Sequence, residues 1–393
     1  MNNLNLPLMS DNINRDDINA VIKFLQQDPI PKLTNGPKVK EFEEKWSEWL
    51  GVKHSLMVNS GTAANELTML ALTHMYDDGE IIVPPLTWIS DVSSVLFAGF
   101  TPVFVDINLK NLSFDLEQLK NSITDKTRAI FLTHVLGLNG LSDELIQLCK
   151  EKDILLIEDV CESHGATFKG DKCGSVGFAS NFSFYFAHPM STIEGGMVCT
   201  NNNKFYQICR ALRSHGMTRE ITDENYKQQI IQENPQLNPD FIFLGPAHNF
   251  RSTEINAVIG LNQLPNLDKN NEIRKSNFEY FIKNLDPQKY ITDLNIEGQC
   301  NYAFIVIRQG GKSKDWKLRN KIEQTLKNNQ IEFRRGLSGG GNQLRQPYFK
   351  DKNIDLNNFH NVEYVSDFSW YIGNYPTLER EKIDNLLNIL NGI

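Results

Sequence analysis

The chain has 393 residues, 40% of them hydrophobic and 23 of them phenylalanine, enough for one large core with a smaller one beside it. Forty basic residues against 48 acidic ones leave a formal net charge of -8, which gives no support for a broad basic face toward nucleic acid and leaves room for a local site for an anionic ligand. The six cysteines, at 149, 161, 173, 199, 209 and 300, form no CxxC or CxC pair, so reduced buried thiols are expected rather than a zinc or iron-sulfur site.

The opening residues Met1 to Leu4 carry no apolar run that reads as a signal peptide, and no stretch approaches the roughly 20 apolar residues of a spanning helix. A soluble, cytoplasmic protein without membrane contact is expected. Residues 16–26 place apolar side chains at helical spacing behind first-turn acids, and a second helix follows at 38–50. Strands are expected at 54–58, 80–84, 102–107, 128–135, 154–159 and 182–186, with helices at 65–74, 90–97, 114–120 and 142–151. Residues 221–248, rich in Asn, Gln and Pro, read as a long loop. Then come a helix at 251–266 and a long surface helix at 269–285. From about 301 the strand AFIVI, a helix at 316–328, the strand IEFRR and a helix at 378–391 suggest a smaller α/β domain. The expected division is 1–250 for a large domain with its N-terminal helical segment, and 251–393 for the small one with its connecting helix. Alternation of strand and helix predicts an α/β fold with a mostly parallel central sheet covered on both faces. Ligands in such folds collect at carboxyl ends of strands, here near Ser60, Pro85, Asp159 and His188. Gly339-Gly340-Gly341 is expected to be a turn, since it lacks the lysine and hydroxyl residue of a Walker motif.

Ser60-Gly61-Thr62-Ala63-Ala64 follows a strand and opens a helix, whose free N–H groups and dipole suit a phosphate, although small residues also cap many helices. Asp159 ends another strand, where a carboxylate could pair with a protonated ring nitrogen or serve as an N-cap. The segment from Ser183 through His188 to Glu194-Gly195-Gly196 is more specific. It resembles the cofactor-attachment segment of the DegT/DnrJ/EryC1/StrS family of nucleotide-sugar aminotransferases, which are fold-type-I pyridoxal-phosphate enzymes. The family places a lysine six residues before Glu-Gly-Gly; here that position is His188, and no lysine occurs from 173 to 203. Thr34-x-Gly36 with Phe42-Glu43, Asn59 to Ala64, Glu158 to Ala166, Leu212 to Met217 and Asn249-Phe250-Arg251 match in order. The resemblance runs through most of 15–270 and more loosely beyond.

The resemblance implies a fold-type-I aminotransferase-like architecture, pyridoxal 5'-phosphate and pyridoxamine 5'-phosphate as cofactor, and a homodimer with shared active sites. It implies that Trp88 stacks on the ring, Asp159 pairs with the ring nitrogen, and Glu162, usually glutamine in the family, bonds the ring hydroxyl. Backbone at Gly61 and Thr62 with the Ser183 hydroxyl would hold the phosphate, aided by Asn249 from the second subunit. Arg219 would take a glutamate carboxylate; His215 matches without a clear role, and His164 reads as packed. Histidine in place of lysine resembles the family's 3-dehydratase branch. The implied reaction removes the C3 hydroxyl from a nucleotide-linked 4-keto-6-deoxyhexose, with GDP-4-keto-6-deoxy-D-mannose as the expected sugar and L-glutamate regenerating the amine. Imidazole cannot hold the aldehyde cofactor covalently as lysine does, but it moves protons near neutral pH, which makes His188 the expected catalytic group. Three alternatives stand beside this. A sugar aminotransferase would need a lysine at 188. A dehydratase for another nucleotide sugar would differ in loops such as 223–248 and around Arg334-Arg335. A non-catalytic binding protein would have no reason to keep Trp88, Asp159, Glu162, Ser183 and His188 together. Pro189 after His188 and the stretch Gly245 to His248 depart from the family pattern.

Overall fold

The computed structural model describes residues 4–10, 12–310, 314–350, 352 and 354–393; residues 1–3, part of the expected leaderless start, lie outside it. Two helices lead, α1 (Arg15–Leu25) and α2 (Pro37–Leu50). Asn14 caps α1 in a reciprocal capping box with Asp17, and Pro37 occupies the first turn of α2, where a missing N–H costs nothing. The Glu254 carboxylate accepts from the N–H groups of Gly36, Lys38 and Val39 at 2.9–3.0 Å, fixing the start of α2 from a distant part of the chain.

The large sheet is built from β1 (His54–Val58), β2 (Glu80–Val83), β3 (Thr101–Phe104), β4 (Thr127–Thr133), β5 (Leu155–Asp159), β8 (Ala179–Ser183) and β9 (Gly196–Thr200); a two-residue ribbon, β6 (Thr167–Phe168) and β7 (Asp171–Lys172), stands apart. Its order is β1-β9-β8-β5-β4-β2-β3. Neighbours from β8 to β3 are parallel, while β9 runs antiparallel to both β8 and β1. Leu56 and Val58 enter one core and Met57 another, so alternate residues of one strand are buried on opposite faces. The covering helices include α3 (Gly61–Leu72), α4 (Ile89–Phe97), α5 (Leu116–Ser122), α6 (Asp143–Lys152) and α7 (Asn203–Arg213).

Residues 221–248 are not a plain loop. They contain α8 (Glu224–Glu233), which buries Ile230 against Ala211, Ile221 and Ile242. Next come α9 (Glu254–Gln263) and α10 (Leu267–Asn284). The expected surface helix is half interior: Phe278, Phe281 and Ile282 are buried with Arg274 and Asn277. The smaller sheet has the order β10 (Ala303–Ile307), β12 (Ser369–Gly373), β11 (Phe333–Arg335), all antiparallel, with α11 (Trp316–Asn328), α12 (His360–Phe368) and α13 (Arg380–Asn391) around it. The N-terminal residues reach this unit: Leu6 donates to the Gln330 carbonyl at 3.0 Å and accepts from Glu332 at 2.9 Å. Among the described residues, no helix is long and apolar enough to cross a membrane.

Candidate active site

A cavity of about 850 Å³ opens at the carboxyl ends of β5 and β8, lined from both sheets' surroundings; that is room for a ligand of cofactor size with more beside it. Gly61, Thr62, Trp88, Asp159, Glu162, Ser183 and His188 all line it. No lysine does.

One end is the start of α3. Ser60 caps the helix by accepting from Ala63 N–H at 3.0 Å, and the first-turn N–H groups of Gly61 and Thr62 face the cavity end of the dipole. A side chain at position 61 would bring a Cβ within 2.5 Å of the Ser183 Cβ, so glycine lets the helix start lie directly against that serine. Together they form a cradle for an anion. The opposite requirement, a carboxylate, is met by Asp159. It is 4% exposed, accepts from Cys161 N–H at 2.8 Å and lies 3.4 Å from the Asn65 amide. Trp88 precedes α4 and remains 57% exposed, an aromatic surface with little covering it in one chain.

Glu162 accepts from Leu136 N–H and from the Ser338 hydroxyl, each at 3.0 Å, and so joins the large sheet's end to the smaller unit. Burial pushes its carboxyl up to about 7, opposed by those two hydrogen bonds and assisted by Asp159. A carboxyl raised in the folded state favours folding below its ordinary value of 4.5, and that contribution is lost as pH rises through about 7. We expect Glu162→Gln to remove this dependence: from about pH 5 to about pH 8, the ligand-free wild type should lose on the order of 1–2 kcal/mol relative to the variant. Denaturant midpoints measured at both pH values check it, and parallel curves for the two proteins would count against it.

His188 sits in the turn after β8. Its N–H donates to the Tyr185 carbonyl at 3.0 Å, its carbonyl accepts from the Asn12 amide, and the next carbonyl, of Pro189, accepts from Arg274 at 3.2 Å. The backbone is therefore held on both sides of the imidazole, and Pro189 takes part without costing a hydrogen bond. The ring lies 6.1 Å from His164 and 6.2 Å from Tyr302, with Nδ1 buried and unpartnered. Burial lowers its pKa to about 4, against a smaller pull from Asp159, so at neutral pH it is an uncharged base with a free nitrogen. His164 is packed as expected, against Trp46, Phe182 and Phe184 at 5.6–5.8 Å.

Two expected contributors lie elsewhere in the single chain. Asn249 is exposed, with its side chain accepting from Arg251 N–H at 3.2 Å, and Arg219 is exposed beside the Phe241 ring at 5.5 Å. Neither lines the cavity. Sequence reasoning missed Tyr302, Ser338 and Tyr371, which enter from the smaller unit. They belong to no local motif, and Tyr371 lies on a strand that was not anticipated. His134, Glu158 and Cys173 cluster within 4.8 Å, but His134 Nδ1 accepts from Gly140 N–H at 3.1 Å and Glu158 accepts from Gly174, Val176 and Gly177 N–H at 2.6–3.1 Å. These bonds make it a buried hydrogen-bonded brace, with His134 reaching the cavity wall.

A mostly parallel sheet with an anion cradle and a buried carboxylate at its strand ends, completed by a second α/β unit, is the fold-type-I aminotransferase arrangement. Residues 11–391 match the DegT/DnrJ/EryC1/StrS aminotransferase family, and the chain belongs to it. Among its relatives is GDP-4-keto-6-deoxy-D-mannose 3-dehydratase of Escherichia coli O55:H7, 31% identical over 98% of this chain and 100% of that protein. The enzyme of that name from Yersinia pseudotuberculosis is likewise 31% identical, covering 98% of each chain. A solved structure of GDP-4-keto-6-deoxymannose-3-dehydratase, a histidine-to-asparagine variant with bound GDP-perosamine, superposes with a TM-score of 0.85 at 30% identity, covering 98% of this chain and 100% of that one. Another, with a trapped PLP-glutamate geminal diamine, gives 0.84 at 29% identity, covering 98% of this chain and 100% of that one.

Proposed function

We propose that this protein removes the C3 hydroxyl of a nucleotide-linked 4-keto-6-deoxyhexose, GDP-4-keto-6-deoxy-D-mannose, using pyridoxal/pyridoxamine phosphate with L-glutamate as amino donor. The observation that carries this reading is a cavity with no lysine among its described lining residues, in which an uncharged histidine with a free ring nitrogen takes the attachment position. The dehydratase names and bound molecules of the relatives above support it.

The residues present fit the cofactor. An anion cradle at Gly61, Thr62 and Ser183 suits its phosphate, the Asp159 carboxylate its ring nitrogen, Glu162 its ring hydroxyl and Trp88 its flat face. When bound, the ring supplies a sink for the electron pair of a broken C–H bond. His188 would take the proton from the carbon next to the bound ring and pass it to the departing hydroxyl, which would leave as water. Asp159 would hold the proton on the ring nitrogen. Tyr371, pushed up to about 12 by burial, stays a neutral hydrogen-bonding phenol at the cavity wall. The balance closes: hydrogen replaces the sugar's hydroxyl, glutamate becomes 2-oxoglutarate, and ammonia is released. With histidine at position 188, the attachment position itself offers no amine to the cofactor's aldehyde.

In the same reading the enzyme is a cytoplasmic homodimer. Phe241 and Phe243, 56% and 51% exposed, are surfaces that a second copy would cover, and that copy would bring Asn249 to the phosphate and Arg219 to the glutamate carboxylate. Residues 1–250 would act as the cofactor-binding domain and 251–393 as the domain that closes the cavity.

The test is to incubate the purified protein with pyridoxal phosphate, glutamate and GDP-4-keto-6-deoxymannose and follow the nucleotide sugar by mass spectrometry. The expected product is lighter by one oxygen and requires glutamate. A 4-amino sugar would establish an aminotransferase instead. An unchanged sugar beside a cofactor that has accepted glutamate's amino group would place the error in the nucleotide or sugar.

A further inference from the structure

Behind Asp159 stands a second carboxyl that the chemistry above does not use. Asp91, in the first turn of α4, is fully buried. The Asn65 amide of α3 donates to Asp91 Oδ1 at 2.7 Å and reaches Asp159 Oδ2 at 3.4 Å, so one side chain ties the two acids together. The Thr133 hydroxyl of β4 donates to Asp91 Oδ2 at 2.8 Å, and the Thr87 hydroxyl closes on the same oxygen. The shared amide sets the two carboxyls side by side, and Asp159 favours the protonated form of Asp91. The titratable groups facing Asp91 are Asp159 and the Cys161 thiol; no cationic side chain bonds it among the described residues.

Two neighbouring buried acids without a cation between them favour holding one proton over carrying two charges. The environment decides which acid carries it. Asp159 lines the cavity, where a cationic ring N–H would sit, and it accepts a backbone N–H from Cys161. Asp91 has neither cavity nor cation. Burial first, and then Asp159, push its carboxyl well above the ordinary carboxylate range. We propose that Asp91 is a positioning residue that stays protonated and donates a hydrogen bond to Asp159, keeping that carboxylate a weak base so that the shared proton remains on the cofactor's ring nitrogen. This rests on the cofactor reading given above. A donated hydrogen bond stabilises the ionised form of a carboxylate and lowers its proton affinity. Asp91 thereby acts on the electron sink through Asp159, without touching the reacting atoms.

The test has two arms. Infrared spectra of wild type and Asp91→Asn at neutral pH, without cofactor, should differ by a carboxylic-acid carbonyl band present in the wild type and lost in the variant. Absence of that loss overturns the proposal. In the second arm, protein loaded with ring-15N pyridoxamine phosphate is read by nitrogen NMR. Asparagine keeps a neutral donor at this position, so Asp91→Asn should retain the wild-type ring signal, while Asp91→Ala should shift it toward the unprotonated pyridine. A wild-type signal in Asp91→Ala overturns the proposal. If no cofactor binds to any of the three proteins, the cofactor reading fails, and the infrared band alone decides whether the acid pair exists.

Discussion

Replacing His188 with asparagine is expected to slow loss of the C3 hydroxyl by about 100- to 10,000-fold, the range typical of removing a general acid–base group. The imidazole is the uncharged base beside the cavity, held by Tyr185, Asn12 and Arg274 through backbone atoms on either side of it. None of those contacts involves the ring, so the variant keeps its turn. The cradle at Gly61 and Ser183 and the Asp159 carboxylate are likewise untouched, and cofactor uptake should remain near wild type. Supplying preformed pyridoxamine phosphate isolates the dehydration half, which is scored by mass spectrometry in a single turnover. Full loss of cofactor binding in the variant, or dehydration at the wild-type rate, would each remove His188 from its assigned role.

The largest stability effect is expected at Arg213. Its guanidinium is 2% exposed and donates to Glu43 at 2.7 Å and to the Met57 carbonyl at 2.9 Å, while Glu43 also accepts from Met57 N–H at 2.8 Å. Two of the matched segments, Phe42-Glu43 and Leu212-Arg213, thus meet under β1 to fix the strand that feeds the anion cradle. Arg213→Ala leaves a buried carboxylate without its cation, which costs about 3–5 kcal/mol, whereas the pair replaced together by apolar residues of similar volume costs far less. We expect Arg213→Ala to lower the denaturant midpoint sharply and Arg213→Met with Glu43→Leu to recover most of it. A single variant within about 1 kcal/mol of wild type would show that water reaches the carboxylate and replaces the arginine.

Much of the site was legible because its parts sit where strands stop. Apolar runs ending at Val58 and Asp159 located the helix start and the carboxylate, and the Glu-Gly-Gly spacing located His188. The run FSFYF misled by continuing past the sheet: the strand is Ala179–Ser183, and Tyr185 and Phe186 are 46% and 38% exposed at the cavity mouth. Their hydrophobicity serves a surface rather than a core. Helix α8 was hidden because Ile230 is its one buried side chain, too little to set a period against Asn and Gln. The opposite error arose at α10, where charged residues on the outer face obscured Phe278, Phe281 and Ile282 on the inner one. Asp91 carried no signal at all, since a lone acid in the first turn of a helix is the commonest way to favour its dipole. Its meaning depends on β4 and β5, which bring Thr133 and Asp159 to it.

The N-terminal stretch has a practical consequence for anyone handling the protein. It is stitched at Leu6 to the rim of the smaller sheet and at Asn12 to the loop that carries the imidazole. An affinity tag or fusion partner placed ahead of it therefore pulls on a cord whose far end is the reaction centre, and turnover compared before and after tag removal measures that pull directly.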